Sequence, residues 1–260
     1  MPLLLWIVLF TVLGGALSAL GASLFLSAPE RQRMRMLPHL VSFATGALLG
    51  AALLGLLPHA LEGVGVESAH EIGLTLVAGL LVFFVLEKLV LWRHCHHDGC
   101  EKHGPHEDNG REVASAHLIL IGDAFHNVLD GVLIAAAFMT DVHLGIVSAL
   151  AIFAHEIPQE IGDLAILLNG GMSRARAFTL NLLVSLTSVL GGVIAYFSLS
   201  SAQQLLPYAL AVAASSFLYI AVADLIPGLH RRVDPGSAVR QIVFISIGVV
   251  VIYLSHSWAH

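Results

Sequence analysis

The chain has 260 residues, 57% of them hydrophobic and only 12% charged, with a formal net charge of -6 at pH 7. Soluble domains average about 25% charged residues; this composition, with a mean hydropathy of +0.85, excludes an ordinary water-soluble enzyme and describes an integral membrane protein. The net charge is no sign of a charged partner, because many of the acids lie inside apolar segments, and no basic stripe or known motif supports nucleic-acid binding.

A chain of this length holds about eight helices of roughly 20 to 25 residues with short connections. Eight apolar segments are present, with cores Leu3–Leu26, Leu37–Leu61, Ile72–Trp92, Val113–Phe138, Leu144–Leu168, Ala177–Leu199, Leu205–Leu229 and Val239–Ser257. The first has no charged leader and is too long for the apolar part of a signal peptide, so it reads as a span. Arg31, Arg33 and Arg35 follow the first segment, and Lys88, Arg93, Lys102 and Arg111 lie at or beyond the end of the third. Arg174 and Arg176 follow the fifth, and Arg231, Arg232 and Arg240 lie between the seventh and eighth. Alternating eight spans puts all 12 basic residues on one side. The positive-inside rule makes that side cytoplasmic, with both termini outside.

Between the third and fourth spans, residues 94–112 form an expected cytoplasmic loop carrying His94, His96, His97, His103, His106 and the only cysteines, Cys95 and Cys100. It reads either as a flexible metal-collecting or sensing segment or as a solvated linker with incidental histidines. Its spacings match no closed zinc site, and a cytoplasmic loop keeps its thiols reduced. No disulfide framework is implied.

A short internal repeat links Gly55-Leu-Leu-Pro58-His59 in the second span to Asp224-Leu-Ile-Pro227-Gly228 in the seventh. These spans run in opposite directions, which points to inverted repeats with proline-broken helices near a central site. Gly14, Gly15, Gly21, Gly46, Gly50, Gly191 and Gly192 read as places of close helix packing.

The fourth and fifth spans carry the chemistry. Asp123, His126, Asn127 and Asp130 fall on one helical face, at i, i+3, i+4 and i+7. In the next span His155 stacks over Gln159 and Glu156 over Glu160, with Asp163 continuing the second face. A short turn joins the two spans, so they are antiparallel neighbours and the polar residues converge. Ionisable groups at that depth are costly and usually line an ion path. Oxygen and imidazole donors suit Zn, Mn, Fe(II), Co or Ni. Pro158, inside the second run, removes a backbone donor and leaves the Ala154 carbonyl without its usual partner, which predicts a kink. A helix–helix hydrogen-bond network without metal is the plainer alternative.

The runs His126-Asn127-Val-Leu-Asp130-Gly131 and His155-Glu156-Ile-Pro158-Gln159-Glu160 resemble the paired motifs of the ZIP (Zrt/Irt-like) metal transporters, closest to the LIV-1-type branch. Leu57-Pro58-His59 and Asp224-Leu-Ile-Pro227 resemble the family's second and seventh helices, and the likeness covers nearly the whole chain as a single domain, residues 1–260. The resemblance implies an all-α membrane fold of eight helices around the fourth and fifth. It implies import of Zn2+, with Mn2+, Fe2+, Co2+ or Cd2+ as further candidates, through a two-metal site, and a homodimer in the cell membrane. It implies His126, Asn127, Asp130, His155, Glu156 and Gln159 as transport ligands, Asp224 as a ligand of the second metal and His59 on the path. No prosthetic group is implied: the metal is cargo. Two departures stand out. Gln159 stands where such proteins usually carry a second His, and Gly55 where many carry His. The long extracellular His-rich domain of many eukaryotic relatives is absent, as expected of a compact prokaryotic-type protein.

Two other functions compete. His155-Glu156 begins the H-E-x-x-H of a metalloprotease, but Gln159 replaces the second His. A membrane metal sensor without transport would use the His-rich loop but leaves the intramembrane acids unexplained.

Overall fold

The computed structural model describes residues 2–97, 108–169, 171–230 and 234–257. Among these residues there is no strand, and eight long helical runs follow one another. They are α1 (Leu3–Ser27), α2 (Glu30–Val64), α3 (Ala69–His97), α4 (Asp108–Thr140), α5 (Val142–Asn169), α6 (Arg174–Ser200), α7 (Gln203–His230) and α8 (Pro235–Ser257). Each expected span has its helix. The helices outrun the apolar cores because their ends carry charge into the aqueous boundary: α2 begins at Glu30, so Arg31, Arg33 and Arg35 lie in its first turns. Seven of the eight are long and apolar enough to cross a membrane on hydropathy alone. The exception is α5, diluted by His155, Glu156, Glu160 and Asp163. The expected loop at 94–112 is helical at both ends, since α3 runs through His97 and α4 starts at Asp108; residues 98–107 lie outside the described residues.

The helices are built inside out relative to a soluble protein. In α1 the buried stripe is Ile7, Thr11, Gly15, Ser18, Ala19 and Ala22, while Leu5, Leu9, Leu13, Leu17, Leu20 and Leu24 are exposed. Lipid accepts large apolar side chains at no cost, so helix crossings can be given to small residues that let backbones approach, while larger groups such as Phe138, Phe217 and Leu48 fill the space between them. Two crossings depend on this. A Cβ on Gly46 would overlap the Ile245 carbonyl, and one on Gly248 would overlap the Phe43 carbonyl, which locks α2 to α8. Gly131 and Gly191 make the matching pair between α4 and α6, against the Ser188 and Val128 carbonyls. Gly15, Gly50 and Gly192 also face close neighbours, and Gly21 makes ordinary contact with Ile157. Gly14 has nothing within 4 Å, so it does not serve the packing role expected of it.

Helices α1, α4, α5 and α6 pack mainly on one another, as do α2, α3, α7 and α8. The two groups meet where α2 and α8 lie against α5 and where α7 lies against α4.

The prolines of the internal repeat do not break their helices. Each is preceded by one turn of π-helix, Ala51–Leu56 in α2 and Ile220–Leu225 in α7. In both, one residue separates the π turn from the proline, and that residue's amide bonds five residues back, Leu57 to Ala52 and Ile226 to Ala221. The wider turn takes up the register change beside a residue that cannot donate. Gly55 and Asp224 hold the same place in the two π turns. Pro158 is accommodated too: α5 continues through it to Asn169 instead of ending there.

Candidate metal centre

Four side chains converge between α4 and α5. His126, Asp130, His155 and Glu156 each offer one donor atom, and these atoms all lie within 4.8 Å of one another. His126 Nε2 is 3.3 Å from His155 Nε2. Asp130 Oδ2 is 3.5 Å from His155 Nε2 and 3.8 Å from His126 Nε2. Glu156 Oε1 is 3.6 Å from His126 Nε2 and 3.8 Å from His155 Nε2. A tetrahedral zinc with bonds of about 2.0–2.1 Å holds its donors roughly 3.3–3.4 Å apart. The five distances between a histidine and another donor, 3.3–3.8 Å, are within about half an ångström of that spacing, and the whole set would contract modestly around an ion.

The local sequence explains the convergence. His126 and Asp130 are one turn apart on α4, and His155 and Glu156 are consecutive on α5, which returns directly through the turn at Asp141. Asp141 caps α5 by accepting from the backbone amides of His143 at 2.8 Å and Leu144 at 3.0 Å. His155 Nδ1 lies 3.3 Å from the Ala151 carbonyl. Donation to that carbonyl leaves the Nε2 lone pair facing the cluster, the tautomer a metal requires. Phe217 of α7 walls the site, its ring centroid 6.5 Å from that of His155.

Asp130, His155 and Glu156 are buried, and His126 is partly so. Neither oxygen of Asp130 nor of Glu156 has a hydrogen-bond partner. Buried carboxylate oxygens without partners are costly in an apolar medium. Two carboxylates and two neutral imidazoles would balance one dication in charge and supply four ligands, so the donor set fits the ion.

The other expected site residues fall elsewhere. The Asn127 and Gln159 amides turn their nitrogens to Asp123, each donating to Oδ1 at 3.0 Å. Asn127 also donates to the Asp123 carbonyl at 3.1 Å. Gln159 therefore bonds Asp123 across the helix pair, and the second ligand of an H-E-x-x-H site is missing. Asp224 is exposed on the π turn of α7, outside the four-residue cluster. His59 sits near the α4–α5 turn, its Nδ1 2.9 Å from the Gly55 carbonyl. Partial burial pulls the Asp141 carboxyl upward, but the amides of Leu144 and His143 and the charges of His143 and His59 hold it below the ordinary carboxylate range. This places His59 beside that turn.

Glu160 diverges from the cluster. It is fully buried and bonded by Asn181 and Ser185 of α6. Sequence reading passed over these two, although a polar pair at i, i+4 in an apolar span was the available signal. Thr187 of α6 also reaches the Ala124 carbonyl of α4 at 3.0 Å. Polar contacts thus hold α6 against the helices that carry the site.

The ZIP zinc transporter family model matches residues 93–256. Zinc transporter ZIP13 of Pongo abelii is 32% identical over 84% of this chain and 66% of its own length, and ZIP13 of Homo sapiens is 30% identical over 84% and 70%. Zinc transporter ZIP4 of Homo sapiens is 29% identical over 75% of this chain and 39% of its own. The chain thus spans about two thirds of the ZIP13 relatives. With this match running through a buried two-His, two-carboxylate cluster on a pair of membrane helices, the chain belongs to the ZIP zinc transporter family, on its LIV-1-type branch.

Proposed function

We propose that this chain imports divalent transition-metal ions, Zn2+ foremost, into the cytoplasm through the cluster between α4 and α5. The observation that carries this reading is the convergence of His126, Asp130, His155 and Glu156 within 4.8 Å of one another, with four carboxylate oxygens lacking hydrogen-bond partners. A hydrated dication cannot enter hydrocarbon, so a path must replace its water with fixed donors and release it again. The two carboxylates supply compensating charge, and the imidazoles supply borderline donors that favour zinc.

Asn127 and Gln159 complete the transport ligands in this reading. Their nitrogens are committed to Asp123, which leaves the amide oxygens for the ion. These are harder and weaker donors that ease release and admit Mn2+, Fe2+, Co2+ or Cd2+ beside zinc. His59, at the α4–α5 turn, receives metal at the outer mouth. Asp224, on the α7 π turn, serves a second metal once α7 and α4 rearrange. The basic residues set the orientation, with both termini outside the cell membrane. A homodimer would cover part of the apolar face of α3, where Leu74, Val77, Leu81 and Val82 are exposed. The whole chain acts as one transporter domain, with the His-rich segment as an accessory on the cytoplasmic side.

Reconstitution tests this. Purified chain in sealed vesicles, offered Zn2+, Mn2+, Fe2+, Co2+ and Cd2+ side by side, should accumulate zinc well above empty vesicles. Zinc binding without accumulation would instead identify a sensor.

A further inference from the structure

A second polar site lies well away from the transport cluster, where α2 and α8 begin. The two helices run parallel: His39 stacks on Phe244 with ring centroids 4.7 Å apart, and Gly46 meets Ile245 further along both. Their N-termini therefore sit side by side at one membrane boundary. Between them is a cavity of about 300 Å3, lined by Met34, Arg35 and His39 of α2 and by Ser237, Arg240 and Gln241 of α8, with Pro38 beside them.

The polar groups are held in place. Arg240 donates to Ser237 Oγ at 3.2 Å and lies 4.0 Å from Asp234 Oδ1. Gln241 donates to the Leu229 carbonyl at 3.0 Å. None of the lining residues is acidic, and Asp234 stands against Arg240 at their edge. Two guanidiniums thus line the cavity, with Asp234 against one of them, and two helix N-termini add partial positive charge at the same end. Below the cavity, α8 turns large apolar side chains outward: Val239 is 62% exposed, Ile242 63% and Val250 50%. A ligand here meets cationic donors at its head and a bare hydrocarbon-facing helix along its tail.

We propose that this cavity binds the phosphate headgroup of an anionic phospholipid, with the acyl chains lying along α8. Basic pockets between membrane helices at the cytoplasmic boundary suit such headgroups, and arginine suits phosphate because its planar fork gives two parallel bonds. The exposed face of α8 is what selects a lipid over free phosphate. The bound lipid braces the parallel α2–α8 pair, which packs on α5 and α7 beside the cluster. The site makes no use of the transport path.

The test uses the full chain in detergent, with phosphatidylglycerol, phosphatidylcholine and inorganic phosphate as separate probes. Lipid retention is read by native mass spectrometry and midpoint by thermal unfolding. Phosphatidylglycerol should be retained in preference to phosphatidylcholine and should raise the midpoint, whereas inorganic phosphate should not. Arg35→Gln and Arg240→Gln should each weaken retention about fivefold, and together about 25-fold, at roughly the strength of one basic residue near an anionic surface. Arg35→Lys and Arg240→Lys, which keep the charge, should retain much of the binding and serve as folding controls. Equal retention of the two lipids, protection by inorganic phosphate as strong as that by lipid, or unchanged retention in the double Gln variant would overturn the proposal. Zinc uptake by the double variant in phosphatidylcholine vesicles should stay near wild type, so failure of this site is distinguishable from failure of transport.

Discussion

Gln159→His separates two roles that one side chain holds together. In the wild type, the Gln159 amide donates to Asp123 Oδ1 at 3.0 Å, and Asn127 is the other donor to that oxygen. Asp123 is only 5% exposed, and its Oδ2 has no partner. A buried hydrogen bond to a carboxylate is worth about 1.5–3 kcal/mol. Losing it should lower the thermal midpoint of the metal-free protein. Imidazole nitrogen binds zinc more strongly than an amide oxygen does, whereas manganese gains little. A tenfold rise in the zinc-to-manganese uptake ratio corresponds to ~1.4 kcal/mol, and we predict a change of about that size. Turnover should slow, because a pathway site must also let go. The assay is competition uptake into vesicles, zinc against manganese, for wild type, Gln159→His and Gln159→Leu. Leu removes both the bond and the ligand, so the difference between His and Leu reports the ligand, and the loss common to both reports the bond. An unchanged zinc-to-manganese ratio in Gln159→His would mean that Gln159 only holds Asp123, and the selectivity reasoning would be wrong.

Three further outcomes follow from the same geometry. Gly131→Val puts a side chain into the Ser188 carbonyl at the α4–α6 crossing; it should destabilise the protein by at least about 2 kcal/mol and reduce folded yield, measured by detergent size exclusion, and an unaffected yield would contradict the close crossing. Replacing His94, His96, His97, His103 and His106 together by Ser should leave zinc uptake within about twofold, since their spacing in sequence matches no closed zinc site; complete loss at normal expression would make the segment obligatory. In intact cells, Cys95 should resist an impermeant thiol reagent until the membrane is permeabilised, while a cysteine placed at Pro2 reacts at once; external labelling of Cys95 would invert the orientation.

Most of the fold was legible because lipid imposes simple rules on sequence. Spans had to be apolar and about 20 residues long, and even α5, too polar to pass as a span on hydropathy, was marked by its fit between apolar flanks. The cluster was legible because i, i+4 spacing on one helix and a short turn to the next leave little freedom. What escaped depended on tertiary register. Gly46 and Gly50 could be read as a packing pair, but their partners on α8, Ile245 and Gly248 for the first and Ile252 for the second, could not, because sequence does not say which helix crosses where. Gly14 carried the same signal and packs against nothing. Pro58 and Pro227 suggested breaks, yet one π turn before each keeps the helix whole, a remedy that composition does not reveal. Gln159 was read as a ligand, but its bond to Asp123 needed the facing helix in place. Asn181 and Ser185 were invisible as partners of Glu160 until α6 was placed beside α5.

The central claim is that a dication passes through the four-residue cluster, and Asp130→Asn tests it with least disturbance. The substitution keeps the shape of a side chain whose two oxygens have no hydrogen-bond partner and removes one of two compensating charges. Leaving a desolvated charge without its partner costs about 3–5 kcal/mol, so zinc uptake into vesicles at sub-saturating zinc should fall at least about a hundredfold, with insertion and folded yield preserved. Near-normal zinc uptake by correctly inserted Asp130→Asn would contradict the account.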